Sequence, residues 1–297
     1  MSSTPDLRVS VPLQSDPPWI GLGVLATLAA SNGLFVWLFS GTRLNAALGL
    51  LPGMTLAVFV GSALAAWGRR RGGSLDLALS AFRAEVRARD ARHELLDLTA
   101  PYAALLLRGR NASRRMLVVS QHEEPTVLIE PGHGTDAPDA EVWRARTVQA
   151  DLDAVAVSPS SARVLTLATG ASLDPVLAHL ARSVEPGAPW FSHPTHGGAP
   201  VRVDAREISF GARTVPISGS LKVLDYAIGP KGAAVAAIGF AGDEGALLLF
   251  GCEDAPLIPG AVVSDLVPDA YLPPTGFELL RAVTLAAIEE ARRGERG

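Results

Sequence analysis

A single cysteine, Cys252, stands in a chain of 297 residues. Without a second thiol, an intrachain disulfide framework and a thiolate zinc cluster are both excluded, which fits a reducing compartment. Lysine is nearly as scarce: Lys222 and Lys231 are the only two, so arginine carries almost all of the positive charge. Aromatic residues make up 6% and charged residues 19%, against 48% hydrophobic, and the mean hydropathy is +0.26. That is high for a soluble chain and excludes fibrous, collagenous and disordered classes. The length allows about two domains at roughly 150 residues each.

Several catalytic signatures are missing as well. No Gly-x-Ser-x-Gly nucleophile elbow, no phosphate loop and no Gly-x-Gly-x-x-Gly after a strand-like run occurs, and Gly229-Pro230-Lys231-Gly232 has the wrong length and surroundings for a phosphate loop. Nucleotide chemistry is disfavoured. The net charge is -4. From 69 to 89 six arginines face Asp76 and Glu85, a net of +4, whereas from Thr99 onward 17 basic residues face 23 acidic ones. An acidic body argues against nucleic acid as a partner, because that affinity comes largely from neutralising phosphates.

What is present is uneven hydrophobicity. Residues 19–40 carry no charge and neither do 44–68, and only Gly41, Thr42 and Arg43 lie between them. Each run has about the 20 residues a helix needs to cross a bilayer core, so the spacing predicts a transmembrane helical hairpin over 19–68 behind an N-terminal tail at 1–18. A cleaved signal peptide ending near Ala29 or Ala30 is the competing reading, but Arg8 is the only basic residue ahead of it. Trp19, Trp37 and Trp67 lie near the ends of the runs, where interfacial rings are favoured. Arg69, Arg70 and Arg71 follow the second run, which by arginine asymmetry places both termini and the body in the cytoplasm, against the inner (cytoplasmic) membrane. The sequon Asn111-Ala112-Ser113 would then never meet a glycosyltransferase. Neither run contains an ionisable side chain, which argues against a transporter or proton relay.

Gly49, Gly53, Ala57, Gly61 and Ala65 recur every four residues and lay small side chains along one helix face. That face takes either the first run, through Gly23, Thr27 and Ser31, or a second copy of the chain. Beyond it, 69–99 reads as a basic neck with an amphipathic helix capped by Ser74, whose stripe is Leu75, Leu79, Phe82, Val86, His93 and Leu96. Such a helix packs on the body, pairs as a coiled coil or rests on anionic lipid.

From about residue 100 the period changes to alternation. Runs at 103–107, 115–119, 126–130, 142–148, 154–157 and 164–168 are strand-length, and a helix capped by Ser172 with Pro175 in its first turn follows, ended by Pro186-Gly187. A second set at 201–203, 207–210, 214–217, 223–228, 233–240 and 246–250 is closed by a helix starting at Thr275-Gly276-Phe277-Glu278, a capping box. The fold class expected is therefore a membrane-anchored α+β chain: hairpin, neck helix, then two β-rich barrels or curved sheets at 100–186 and 200–297, each closed by a C-terminal helix. In that element order, with phrases such as Glu207-Ile208-Ser209-Phe210-Gly211 and Thr214-Val215-Pro216-Ile217-Ser218, the body resembles bacterial pleckstrin-homology-like domains borne by membrane proteins. The resemblance implies a binding or scaffolding module and names no ligand.

Chemistry-bearing clusters are few. His193 and His196, three apart in a Pro- and Gly-rich loop, can share a metal only with a third ligand such as His133, Cys252 or a carboxylate, and the segment reads more simply as a linker. Cys252 sits beside Glu253 and Asp254, whose charges would raise its pKa. Glu123-Glu124 and Glu253-Asp254 are adjacent, and strand neighbours point to opposite faces, so neither is a catalytic dyad. The expected function is a membrane-anchored binding or scaffolding protein, not an enzyme, with no cofactor and no metal. Its expected partners are the lipid bilayer and a protein partner or its own copy. A metal-dependent hydrolase using His193 and His196, and a sensor relaying change through the neck helix, are the alternatives.

Overall fold

The structure, a computed structural model, describes residues 9–14, 19–39, 54–56, 58–64, 66–67, 75–80, 82–88, 91–100, 102–109, 115–121, 125–130, 138–145, 162–183, 187–196, 198–229, 235–242, 245–253 and 262–296. Of 19–21, 24, 39, 108–109, 138–145, 262–264 and 296 it describes the backbone alone. Two compact units divide the chain: Met1–Val11, Leu77–Val86 and His93–Gly297 form one, Pro12–Asp76 and Arg87–Arg92 the other.

Strands β1 (Val9–Leu13), β2 (Leu75–Leu79), β3 (Arg83–Ala88) and β4 (Ala91–Asp97) make a four-stranded sheet in that order. A five-stranded sheet follows from β5 (Ala103–Gly109), β6 (Arg115–Ser120), β7 (Thr126–Ile129), β8 (Pro138–Ala145) and β9 (Arg163–Thr166), in the order β8-β5-β6-β7-β9. Its neighbours are antiparallel except β9, which runs parallel to β7. Helix α2 (Asp174–Ala181) comes next, α1 being the helix Trp19–Phe39 of the second unit.

The sequence of elements then repeats. β10 (Phe191–His193), β11 (Val201–Val203), β12 (Glu207–Phe210) and β13 (Arg213–Pro216) form an antiparallel meander. β14 (Lys222–Ile228), β15 (Val235–Ala241), β16 (Leu247–Cys252), β17 (Val262–Ser264) and β18 (Ala270–Leu272) form a sheet ordered β17-β14-β15-β16-β18. β18 runs parallel to β16, as β9 does to β7, and α3 (Pro274–Arg296) closes the cycle. The two cycles differ at their fourth strands, since β17 is parallel to β14 whereas β8 is antiparallel to β5. Each five-stranded sheet has its own apolar cluster: Leu105, Val118 and Val127 in the first, Ile228, Ala237 and Leu249 in the second. Helices α2 and α3 pack on each other and bury Leu177, Leu180, Phe277 and Leu280.

This architecture corrects the expected fold class. The described residues are mostly β-sheet, in four sheets, with few helices. The neck contains no amphipathic helix among its described residues: 75–97 holds β2, β3 and β4. The residues chosen there for their three- and four-residue spacing include Phe82, which is 64% exposed, and His93, also exposed. The buried ones are Leu77, Leu79, Ala84, Val86, Leu96 and Leu98, which alternate. Period two, not 3.6, is the pattern that finds an apolar partner here.

The transmembrane hairpin is corrected too. Among the described residues no helix is long and apolar enough to cross a membrane. Helical residues of the second run are described only in the pieces 54–56, 58–64 and 66–67, and the turn at 41–43 lies outside the described residues. The inner-membrane anchor, and the topology argued from it, is therefore withdrawn. What the second unit does show is α1 exposing Leu22, Leu25 and Trp37, at 71%, 65% and 71%.

Candidate functional site

The densest polar constellation in the first unit gathers around Arg115, the first residue of β6. The β6–β7 hairpin sets it opposite Glu130, whose backbone N–H donates to the Arg115 carbonyl at 3.0 Å, so the two side chains form a cross-strand pair. Arg115 Nε and Nη2 donate to the two oxygens of Glu130 at 2.8 and 2.7 Å. Its Nη1 donates to Asp174 Oδ1 at 2.6 Å and to Glu278 Oε2 at 3.0 Å, and Nη2 also donates to Ser172 Oγ at 3.0 Å. A guanidinium has five N–H groups, and here all five are engaged. No donor remains for an incoming anion, so this is a clamp between a sheet, the first turn of α2 and Glu278 near the start of α3.

The chain around α2 is organised by the same cluster. Ser172 accepts the Asp174 backbone N–H at 3.0 Å and donates its hydroxyl to Asp174 Oδ2 at 2.8 Å, while the Leu173 N–H goes to Glu130 Oε1 at 3.0 Å. The Glu130 carboxylate and the Ser172 hydroxyl thus satisfy N–H groups at the helix start, where the dipole favours the negative charge of Glu130 and Asp174. Burial alone would push the Asp174 carboxyl up, but the Arg115 charge, hydrogen bonds from Arg115 and Ser172 and the more distant Arg281 hold it below the usual carboxylate range. Burial likewise works against the Arg115 charge and is outweighed by Glu130, Glu278 and Asp174, which raise its pKa. A second anchor lies nearby on α3, where Arg281 grips both oxygens of Asp225 on β14 at 2.7 and 3.2 Å.

The histidine loop does not assemble a metal centre. His193 Nδ1 donates to the Pro194 carbonyl at 2.7 Å, and Nε2 is the nitrogen left for any other contact. That nitrogen abuts the start of α3, where a Cβ on Gly276 would stand 2.8 Å from it, and the ring stacks on Phe191 at 6.0 Å. His196 is exposed and its Nδ1 lies 3.9 Å from Glu253 Oε1. Among the described residues no group of three or more His, Cys, Asp or Glu is placed to hold a metal ion. Cys252 is fully buried, with its thiol 3.5 Å from the Glu253 carbonyl. His133, Glu123, Glu124 and Asp254 lie outside the described residues.

The residues expected to pack or anchor the hairpin fare unevenly. Gly49, Gly53, Ala57, Ala65, Arg69, Arg70 and Arg71 lie outside the described residues. Gly61 is buried, Trp67 is 48% exposed, and of Trp19 only the backbone at the start of α1 is described. Sequence reading missed the Arg115 clamp because Arg115 and Glu130 become neighbours only through hairpin register, and Glu278 is 163 residues from Arg115. The available signal was the acid in the first turn of α2, Asp174.

One open groove, of about 410 Å³, is lined on one side by Arg213, Thr214 and Val215 of β13 and on the other by 245–249, with Leu266, Val267 and Asp269 along its floor and rim. A smaller, partly open pocket of about 30 Å³ is lined by Leu77, Ala84, Leu96 and Leu180.

No known protein family and no curated protein matches the sequence.

Proposed function

We propose that the chain is a non-catalytic binding or scaffolding protein, and that α1 is its contact surface, taken by α1 of a second copy. The observation carrying this reading is the exposure of large apolar side chains on a helix without a single charged residue. Leu22, Leu25, Leu34, Trp37 and Leu38 all face out, and contiguous apolar surface of that kind marks an interaction site. The helix is also prepared for burial on association. Thr27 Oγ1, half-buried, donates to the Gly23 carbonyl at 2.8 Å, so covering this hydroxyl strands no donor. A Cβ at Gly23 or Gly33 would meet nothing within 4 Å, which leaves room for a neighbouring backbone.

The test is sedimentation of the full chain over a concentration series, beside Leu25→Glu and Trp37→Glu. Association of the native chain that either substitution abolishes, with circular dichroism unchanged, supports the reading. A native chain that stays monomeric, or that associates only when lipid vesicles are added, overturns it.

A further inference from the structure

Strand β16 is covered along only part of one edge. β18 pairs with it from Phe250 to Cys252, and among the described residues no strand hydrogen-bonds to Leu247–Leu249 on that side. Residues 247 and 249 point their backbone groups the same way, because alternate residues of a strand share an edge. Two side chains and one backbone group stand where a strand would be. Asp269 Oδ2 accepts the Leu249 N–H at 2.8 Å, the Asp269 N–H donates to the Leu249 carbonyl at 2.7 Å, and Arg213 Nη2 donates to the Leu247 carbonyl. Arg213 Nη1 in turn pairs with Asp269 Oδ1, closing the ring of contacts.

We infer that the Arg213–Asp269 ion pair is an edge lock: it occupies the hydrogen-bonding groups of β16 that an added strand would use, and so keeps the edge closed to a strand from a second copy. An uncovered edge is a template for pairing with another chain, and charged side chains laid across it are a known protection. Each copy also carries a strand able to add, since β13 is the terminal strand of its sheet and its exposed Arg213 and Thr214 line the same groove. The lock spans two elements far apart in sequence. Arg213 follows the Gly211 turn, where φ is +60°, whereas Asp269 immediately precedes β18. The pair is also unevenly exposed, with Arg213 at 55% and Asp269 at 19%, so the arginine is the half that can swing away.

Hydrogen exchange at the Leu249 amide reads the lock directly in the full chain and is independent of any association through α1. In the native protein that amide should be protected to the same degree at every protein concentration. In Asp269→Ala, and more weakly in Arg213→Ala, exchange should speed up on the order of tenfold at low concentration, the size expected for one lost hydrogen bond. Protection should then return as concentration rises, when a strand of a second copy replaces the carboxylate. Arg213→Lys, which keeps the charge but loses the fork, is the milder variant if Arg213→Ala does not fold. Exchange that stays slow in the variants, or that quickens and never recovers with concentration, overturns the inference.

Discussion

Arg115 Nη1 lies 2.6 Å from Asp174 Oδ1, joining the first residue of β6 to the first residue of α2 across 59 positions of sequence. The same nitrogen reaches Glu278 on α3, so one guanidinium ties together two helices that also pack on each other. Three carboxylates depend on that single cation, and the partners are 8% to 17% exposed.

Replacing Arg115 by Met should therefore be severe. It leaves Glu130, Asp174 and Glu278 crowded together without a counter-charge, and breaking one side of such a buried network costs about 3–5 kcal/mol. Urea unfolding should show that loss, and Arg115→Lys should recover only part of it, because an ammonium cannot grip Glu130 with two parallel bonds. A midpoint within error of the native chain would remove the clamp from the account of stability.

The clamp also sets a pH dependence. The Asp174 carboxyl is held below its ordinary value in the folded chain, so its ionised form stabilises the fold above the unfolded value of about 3.9. That contribution is lost as pH falls through the lower folded value. Asp174→Asn should be less stable than the native chain at pH 7, and the gap should narrow steadily below about pH 4. Paired denaturation midpoints at pH 7, 4 and 3 check this; a gap that widens on acidification would contradict it.

His193 should behave as a packing residue. A Cβ on Gly276 would lie 2.8 Å from the imidazole, so Gly276→Ala should cost about 1–3 kcal/mol by overpacking. Most of that penalty should vanish in a His193→Ala background, which a double-mutant cycle measures. Treatment with a chelator should leave the melting temperature unchanged in every variant. A chelator-dependent shift confined to chains that keep His193 would revive the metal reading.

Strand pairing over 75–97 predicts which apolar residues matter there. Leu77→Ala should cost about 2–5 kcal/mol, since Leu77 is 1% exposed. Phe82→Ser should be near neutral despite removing the larger side chain, because the ring is 64% exposed. Thermal melts of the two variants separate strand from helix, as a helix buries Phe82 on the same stripe as Leu79.

Much of the secondary structure of the body follows from local pattern. The alternating runs at 103–107, 115–119 and 126–130 fall within or against β5, β6 and β7, and Pro175 lies in the first turn of α2. Turn residues and period-two alternation act between near neighbours, so they survive reading one chain at a time. The neck did not read correctly, because Leu75, Leu79, Val86 and Leu96 satisfy helical spacing and alternation about equally well. Only the formation of β2, β3 and β4 as one sheet, burying Leu77, Leu79, Ala84 and Val86 together, decides between them.

Composition by itself excluded an intrachain disulfide, because the chain has a single cysteine, and put almost all of the positive charge on arginine, because it has two lysines. Tertiary structure decided the rest. Arg115 meets Glu278 across 163 residues and Arg213 meets Asp269 across 56. Neither pairing has a local signature, because an ion pair is set by distance in space, and that distance exists only once hairpin register and strand order have brought the two side chains together.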